Sequence, residues 1–187
     1  MFDLGKQFVA DSVSKVVAAQ SVKCSLEQRQ RDVYESHRHR VFSLAFYMTG
    51  SEVEAESILT ETFVRAFQSD PEPDGALVDR SLLGRLREQY PLDERHAGPM
   101  PAISNVAVTR NVLRTELEES IQELPATERM IFLLRDVECY STAAIAGLLH
   151  MPESSVQRVL MMARLRLRQQ LAAGVMGTSP IPHLEAA

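Results

Sequence analysis

An all-α fold is predicted by three features of this sequence. Apolar residues recur at three- and four-residue steps through most of the chain. No segment alternates with period two for long enough to make a strand. Helix-starting and helix-stopping residues fall where the periodic runs begin and end. The chain has 187 residues, room for one domain or two small ones. Hydrophobic residues make up 45% and charged residues 24%, with 8 Gly, 9 Pro and no Trp. Collagen-like, low-complexity and wholly disordered readings are therefore excluded. No apolar run approaches the roughly 18 residues of a membrane span. Asp3, Lys6, Asp11 and Lys15 interrupt the N-terminus, so no secretory signal is expected. Cys24 and Cys139 lie far apart and form neither a disulfide framework nor a metal knuckle. The expected compartment is the reducing cytoplasm.

The elements follow in order. Val9, Val13, Val16 and Val17 share a stripe over residues 3–20, a short β-branched helix or partly ordered arm. Cys24 is expected in a loop. Tyr34, Val41, Leu44, Ala45 and Met48 mark a second helix over residues 31–48, stopped by Gly50. Ser51 and Glu54 form a capping-box signature for a helix over 52–68. Ala55, Ile58, Leu59, Thr62, Phe63, Ala66 and Phe67 are its apolar face. Turn chemistry over 69–75 precedes a short helix over 77–89, with Leu82, Leu83 and Leu86 inward. Pro91, Gly98, Pro99 and Pro101 punctuate a linker. A helix is expected from about 108 to 124, with Val112, Leu117 and Ile121 inside. Another is expected over 128–137, capped by Thr127. Ser141 and Thr142 begin a short helix, and Ser154 or Ser155 caps a last helix to about residue 171. The expected organisation is an arm over 1–28, a helical domain over 29–90, a linker over 91–110, a second helical domain over 111–172 and a disordered tail over 173–187.

The net charge is −5, which removes a whole-protein basic field for nucleic acid. Residues 141–187, however, carry four Arg against two acidic residues, so any DNA contact would be local. Two short helices, a tight turn and a longer helix make a helix-turn-helix arrangement there. Its second helix could lie in a major groove. Ser154, Ser155 and Gln157 give it a polar start, and Arg158, Arg164, Arg166 and Arg168 give it charge. Gln and Arg can bond base edges, and Arg neutralises phosphate. An αα-hairpin with a solvated basic helix fits the same pattern, and the pattern alone leaves both open.

Leu124-Pro125, Glu128 through Glu138, then Ile145-Ala146, Leu149, Pro152 and Val156 resemble conserved region 4 of extracytoplasmic-function (ECF) sigma factors. The run from Ala55 to Phe67 resembles their region 2 helix, and Tyr34 through Gly50 the helix before it. The resemblance covers about residues 30–68 and 114–171. It implies a region 2-like bundle and a region 4-like helix-turn-helix joined by a flexible linker. The first domain would grip the clamp helices of RNA polymerase and melt the downstream promoter element. The second would read the upstream, minus-35 element. Core RNA polymerase, promoter DNA and an anti-sigma protein are the partners implied. The family is not enzymatic, and no cofactor or metal is expected. The resemblance assigns polymerase contact to Glu56, Ser57, Thr60, Glu61 and Arg65. It assigns DNA contact to Thr142, Ser154, Ser155, Gln157, Arg158, Met161, Arg164, Arg166 and Arg168.

Several positions depart from the family pattern. Ser57 and Thr60 stand where Asp and Gln are usual. The helix after Gln68 lacks the usual Trp and offers only Arg80, Arg85, Arg87 and Tyr90. Val159 and Met162 occupy common Arg positions, which leaves Met161, Met162 and Leu165 expected on the outward face. Cys139 replaces a Gly and is expected to be buried or half-buried. His37 and His39, two apart on a helix, do not face each other and read as solvated. Two other functions remain open on the sequence. One is a degenerate sigma-like regulator acting through protein contacts; the other is a stand-alone helix-turn-helix regulator.

Overall fold

A computed structural model of the chain describes residues 4–92 and 111–173, with side chains from residue 25 onward. All regular elements among these residues are helical: α1 (Leu4–Thr49), α2 (Glu52–Ser69), α3 (Gly75–Gln89), α4 (Arg114–Gln122), α5 (Ala126–Phe132), α6 (Thr142–Leu149) and α7 (Glu153–Ala173). A π-helical turn, Leu133–Val137, extends α5. Most of the expected linker and all but one residue of the expected tail lie outside the described residues.

α1 differs most from the expectation. The arm, the Cys24 loop and the helix over 31–48 are a single helix of 46 residues, about 69 Å long at 1.5 Å per residue. Apolar periodicity fades between residues 20 and 31, yet no Gly or Pro falls between Gly5 and Gly50. The Gln, Glu, Arg and Lys residues there are good helix formers, so propensity carries the helix where burial does not. Arg29 pairs with Glu72 at 3.1 Å, and Gln30 donates to the Pro71 carbonyl at 3.0 Å.

The C-terminal part of α1 packs against α2 and α3. Val41, Leu44, Ala45 and Met48 meet Ala55, Ile58, Phe63 and Ala66 of α2 and Val78, Leu82, Leu83 and Leu86 of α3 in the core. The Tyr34 and Phe63 rings add an edge-to-face contact at 4.8 Å. Ser51 caps α2 by accepting from the Glu54 amide, and Asp74 caps α3 by accepting from the Leu77 amide. Each such cap contributes about 1 kcal/mol. His37 is half-buried rather than solvated. A side chain at Gly75 would meet its ring at 3.1 Å, so the start of α3 sits directly on it.

In the C-terminal half, Ile131, Leu133, Leu134, Ile145, Leu149, Val156, Leu160, Ala163 and Leu167 are buried together. Pro125, not Thr127, stands at the start of α5. Leu117, expected inside, is 39% exposed, whereas Ile121 is buried as expected; α4 begins only at Arg114, not near residue 108.

The two halves are docked. α1 touches α4 and α5, α3 touches α6, and the buried apolar residues of both halves form one connected core. The last carbonyls of α1 have no partner within their own helix. Gln122 donates to the Tyr47 carbonyl at 2.9 Å, and Arg129 to the Met48 carbonyl at 2.7 Å. Arg129 also bonds the Gln122 side chain at 2.9 Å, its carbonyl, and the Leu124 carbonyl at 3.0 Å. Burial pushes its guanidinium below the ordinary value. Gly50 has φ +73°, and a Cβ there would lie 3.1 Å from the Gln122 amide oxygen. Glycine is needed at that position for both reasons.

A second contact joins the halves. Arg40 of α1 bonds Asp79 of α3 and, at 3.0 Å, the hydroxyl of Tyr140, which itself donates to Asp79. Glu138 stands 3.9 Å from Arg40. Burial pushes the Glu138 carboxyl and the Tyr140 hydroxyl up. Between these two residues Cys139 holds φ +60° with an exposed thiol, not a buried one. A left-handed non-glycine residue costs about 1 kcal/mol or more. Cys139→Gly is therefore expected to raise the unfolding free energy by about 1 kcal/mol, read from urea denaturation.

Candidate nucleic-acid interface

Local sequence sets the geometry of the helix-turn-helix. Ser141 caps α6 by accepting from the Ala144 amide. His150 closes α6 in the left-handed conformation, and the Met151 amide bonds back to the Ala146 carbonyl at 3.0 Å. Met151 is buried, and Pro152 redirects the chain. α7 then starts at Glu153, one residue before Ser154 and two before Ser155, so neither expected residue caps it. The Pro152 carbonyl accepts from the Ser155 and Val156 amides at 3.0 and 3.1 Å.

The first two turns of α7 divide by face. Ser154, Gln157 and Arg158 are exposed, and Met161 is 46% exposed. Ser155 is 8% exposed and faces the core, so it does not stand with its neighbours on the outward surface. Val159 and Met162 are also buried, at 2% and 6%. These two positions are core in this chain, and the expected outward Met162 is not there. Met161 and half-buried Leu165 remain, beside Gln157, Arg164 and Arg168 around a shallow open depression of about 330 Å³.

The four arginines of α7 fall into three classes. Arg158 and Arg168 are exposed and make no hydrogen bond or ion pair among the described residues. Arg164 is held by Asp136 through two bonds, at 2.8 and 2.5 Å, which raise its affinity for the proton. Arg166 points inward to Glu128, which is 1% exposed, with Nε 3.1 and 2.9 Å from the two carboxylate oxygens. Burial pushes the Glu128 carboxyl up, and Arg166 pulls it back. The expected phosphate contact at Arg166 is thus replaced by a structural pair. Thr142 bonds the Glu153 carboxylate at 2.5 Å, tying the start of α6 to the start of α7. The same oxygen accepts from the Gln157 amide at 3.5 Å. Sequence reasoning missed Glu128, Asp136 and Glu153 as partners of the basic helix. The only signal was an acid in the first turn of α7.

On α2, Glu56, Ser57 and Thr60 are exposed, with Glu61 and Arg65 half-exposed beside them. Val53 and Val64 extend this face, at 79% and 49% exposure. Glu61 pairs with Arg85 at 2.5 Å, and Arg65 forms a fork with Glu88 at 2.7 and 2.8 Å. Glu61 and Arg65 thus brace α2 on α3, leaving Glu56, Ser57 and Thr60 with Val53 and Val64 as the outward strip.

Residues 114–167 match the family model described as "Sigma-70, region 4". That segment is similar to a sigma-70 region 4 domain. Its bounds run from the start of α4 to the last full turns of α7, so the helix-turn-helix lies inside it. The chain is also 24% identical over 163 residues to the ECF RNA polymerase sigma factor SigW of Bacillus subtilis (strain 168). The alignment covers 75% of this chain and 87% of that protein, well beyond region 4. The two matches thus give a similarity to sigma factors both within region 4 and along much of the rest of the chain. No described helix is long and apolar enough to cross a membrane.

Proposed function

We propose that this chain is an ECF sigma factor that binds core RNA polymerase and directs it to specific promoters. The observation that carries the reading is the start of α7 in the region 4 domain. It presents Ser154, Gln157, Arg158 and Met161 outward, with Arg158 uncommitted to any acid among the described residues. Such a surface suits a major groove: Gln and Arg bond base edges, and a Met can lie against a thymine methyl. Arg168 serves the phosphate backbone, and Arg164 joins it from its Asp136 anchor. Thr142 and Glu153 set the approach of α6 to α7, while Ser155 and Arg166 support the helix from inside. The outward strip of α2, with Glu56, Ser57 and Thr60 between Val53 and Val64, is the polymerase-facing side. Glu61 and Arg65 position it from below.

Arg158→Ala is expected to weaken promoter-specific binding of the polymerase-bound protein by about 1–3 kcal/mol and to relax preference at one base position. Binding titrations on a cognate fragment and its single-base variants measure this. Equal affinity and equal base preference in mutant and parent would remove Arg158 from the reading surface.

A further inference from the structure

We infer that Glu153, the first residue of α7, selects cytosine in the element read by the helix-turn-helix, and that Thr142 is the residue that positions it. That a base pair lies there rests on the proposed sigma function; the carboxylate and its restraint belong to the chain itself.

An acid is an unexpected residue at this place. The first residues of a recognition helix lie against base edges. The groove there is walled by phosphates, so a carboxylate is disfavoured unless a donor meets it. The plainest role for an acid at a helix start is to answer the helix dipole, and that role needs no fixed side chain. Glu153 is fixed: Thr142, the first residue of α6, donates its hydroxyl to Glu153 Oε1 at 2.5 Å. The bond crosses the turn and joins the starts of two helices, 11 residues apart. Glu153 is exposed all the same. It is bonded only to side chains, and its Oε2 makes no hydrogen bond among the described residues. One oxygen is spent on anchoring, and the other is left for a ligand.

The neighbours of Glu153 sharpen its role. Gln157 stands one turn on, on the same side of α7. Its Nε2 reaches Glu153 Oε1 only at 3.5 Å, a weak bond. Gln157 therefore keeps both a donor and an acceptor to offer, Arg158 offers donors alone, and Glu153 offers acceptors alone. In the major groove guanine shows two acceptors, and thymine an acceptor and a methyl group. Adenine shows a donor beside an acceptor, and cytosine shows its N4 donor. A carboxylate is repelled by the first two, half-matched by the third and matched by cytosine. Its charge enlarges the penalty for a wrong base, because a desolvated acid without a donor costs more than a lost neutral bond. The anchor on Thr142 leaves little side-chain freedom to lose on contact.

The test is a selection from promoter fragments randomised across the upstream element. The full chain bound to core RNA polymerase makes the selection, and the recovered pools are sequenced. The parent is expected to demand cytosine at one position, by about tenfold or more over each other base. Glu153→Gln should move that position to adenine, whose N6 and N7 a carboxamide bonds together, and leave the other positions as in the parent. The new amide oxygen can still accept from Thr142, so the start of α7 stays tied to α6. Thr142→Val should blur the same position and no other, and Arg158→Ala should relax a different one. A parent pool without a cytosine position overturns the role of Glu153 and leaves promoter direction intact. So does a Glu153→Gln pool that keeps the parent's preferences or weakens every position equally. If the polymerase selects no fragment, the sigma reading fails instead. The same selection by the chain alone at low salt, where phosphate contacts hold it on DNA, then decides the role of Glu153. A pool without sequence preference there overturns it as well.

Discussion

Arg129→Ala should cost about 3 kcal/mol of stability, because one guanidinium serves several acceptors at the junction of the halves. It bonds the Met48, Gln122 and Leu124 carbonyls and the Gln122 side chain. Truncation leaves these acceptors in a site that water reaches poorly, and unsatisfied buried groups cost more than the mean hydrogen bond returns. Arg129→Lys should recover only part of the loss, since an ammonium on a flexible stem cannot reproduce the fork. Urea unfolding of the three proteins measures the series. A loss below about 1 kcal/mol for the alanine variant would mean that the junction is not held by Arg129.

Arg166→Ala is the second large effect, and it separates a structural arginine from a DNA-binding one. Removal leaves Glu128, 1% exposed, as a buried acid without its cation. Breaking a buried pair from one side costs about 3–5 kcal/mol. The slope of log affinity against log salt for DNA should stay at the parent value. Arg168→Ala should do the opposite, leaving stability within about 0.5 kcal/mol and reducing the salt slope by about one. Unfolding curves and salt titrations on the two variants give a crossed result. If Arg166→Ala keeps parent stability but lowers the salt slope, its assignment as a core residue fails.

Much of this architecture can be read from residues alone, because periodicity and capping chemistry are local. Ser51 before α2 and Ser141 before α6 cap where the helices begin, although Glu54 does not complete the expected box, and the cap at Asp74 was not expected. The core faces of α2 and α3 follow from spacing, as do Ile131, Ile145, Val156 and Leu160. α1 escaped because a polar stretch reads as a break, whereas without Gly or Pro it simply continues as solvated helix. The faces of α7 were legible only in part. Spacing puts Met161 and Met162 one residue apart, about 100° around the helix, and only packing decides which of them turns inward. The same holds for Ser154 and Ser155. The fates of Arg164 and Arg166 depend on Asp136 and Glu128, which are 28 and 38 residues earlier. No local pattern pairs them. The docking of the halves is likewise a matter of long-range partners, with Gln122 and Arg129 reaching α1 across more than 70 residues. Cys139 shows how a single substitution carries information once the backbone is seen. The glycine that the resemblance to sigma factors implies at this position would hold the φ of +60° found there without strain.

Run-off transcription with core RNA polymerase from the same source and genomic promoter fragments decides whether this chain gives the polymerase promoter specificity. Discrete transcripts that require the protein and fall with Arg158→Ala are expected. The protein should also stay with the polymerase through gel filtration and be displaced when Thr60 and Val64 are both changed to Glu. Co-elution without any protein-dependent transcript would contradict the sigma assignment and favour a regulator that occupies polymerase. Failure to co-elute, with tight DNA binding by the chain alone, would contradict it from the other side.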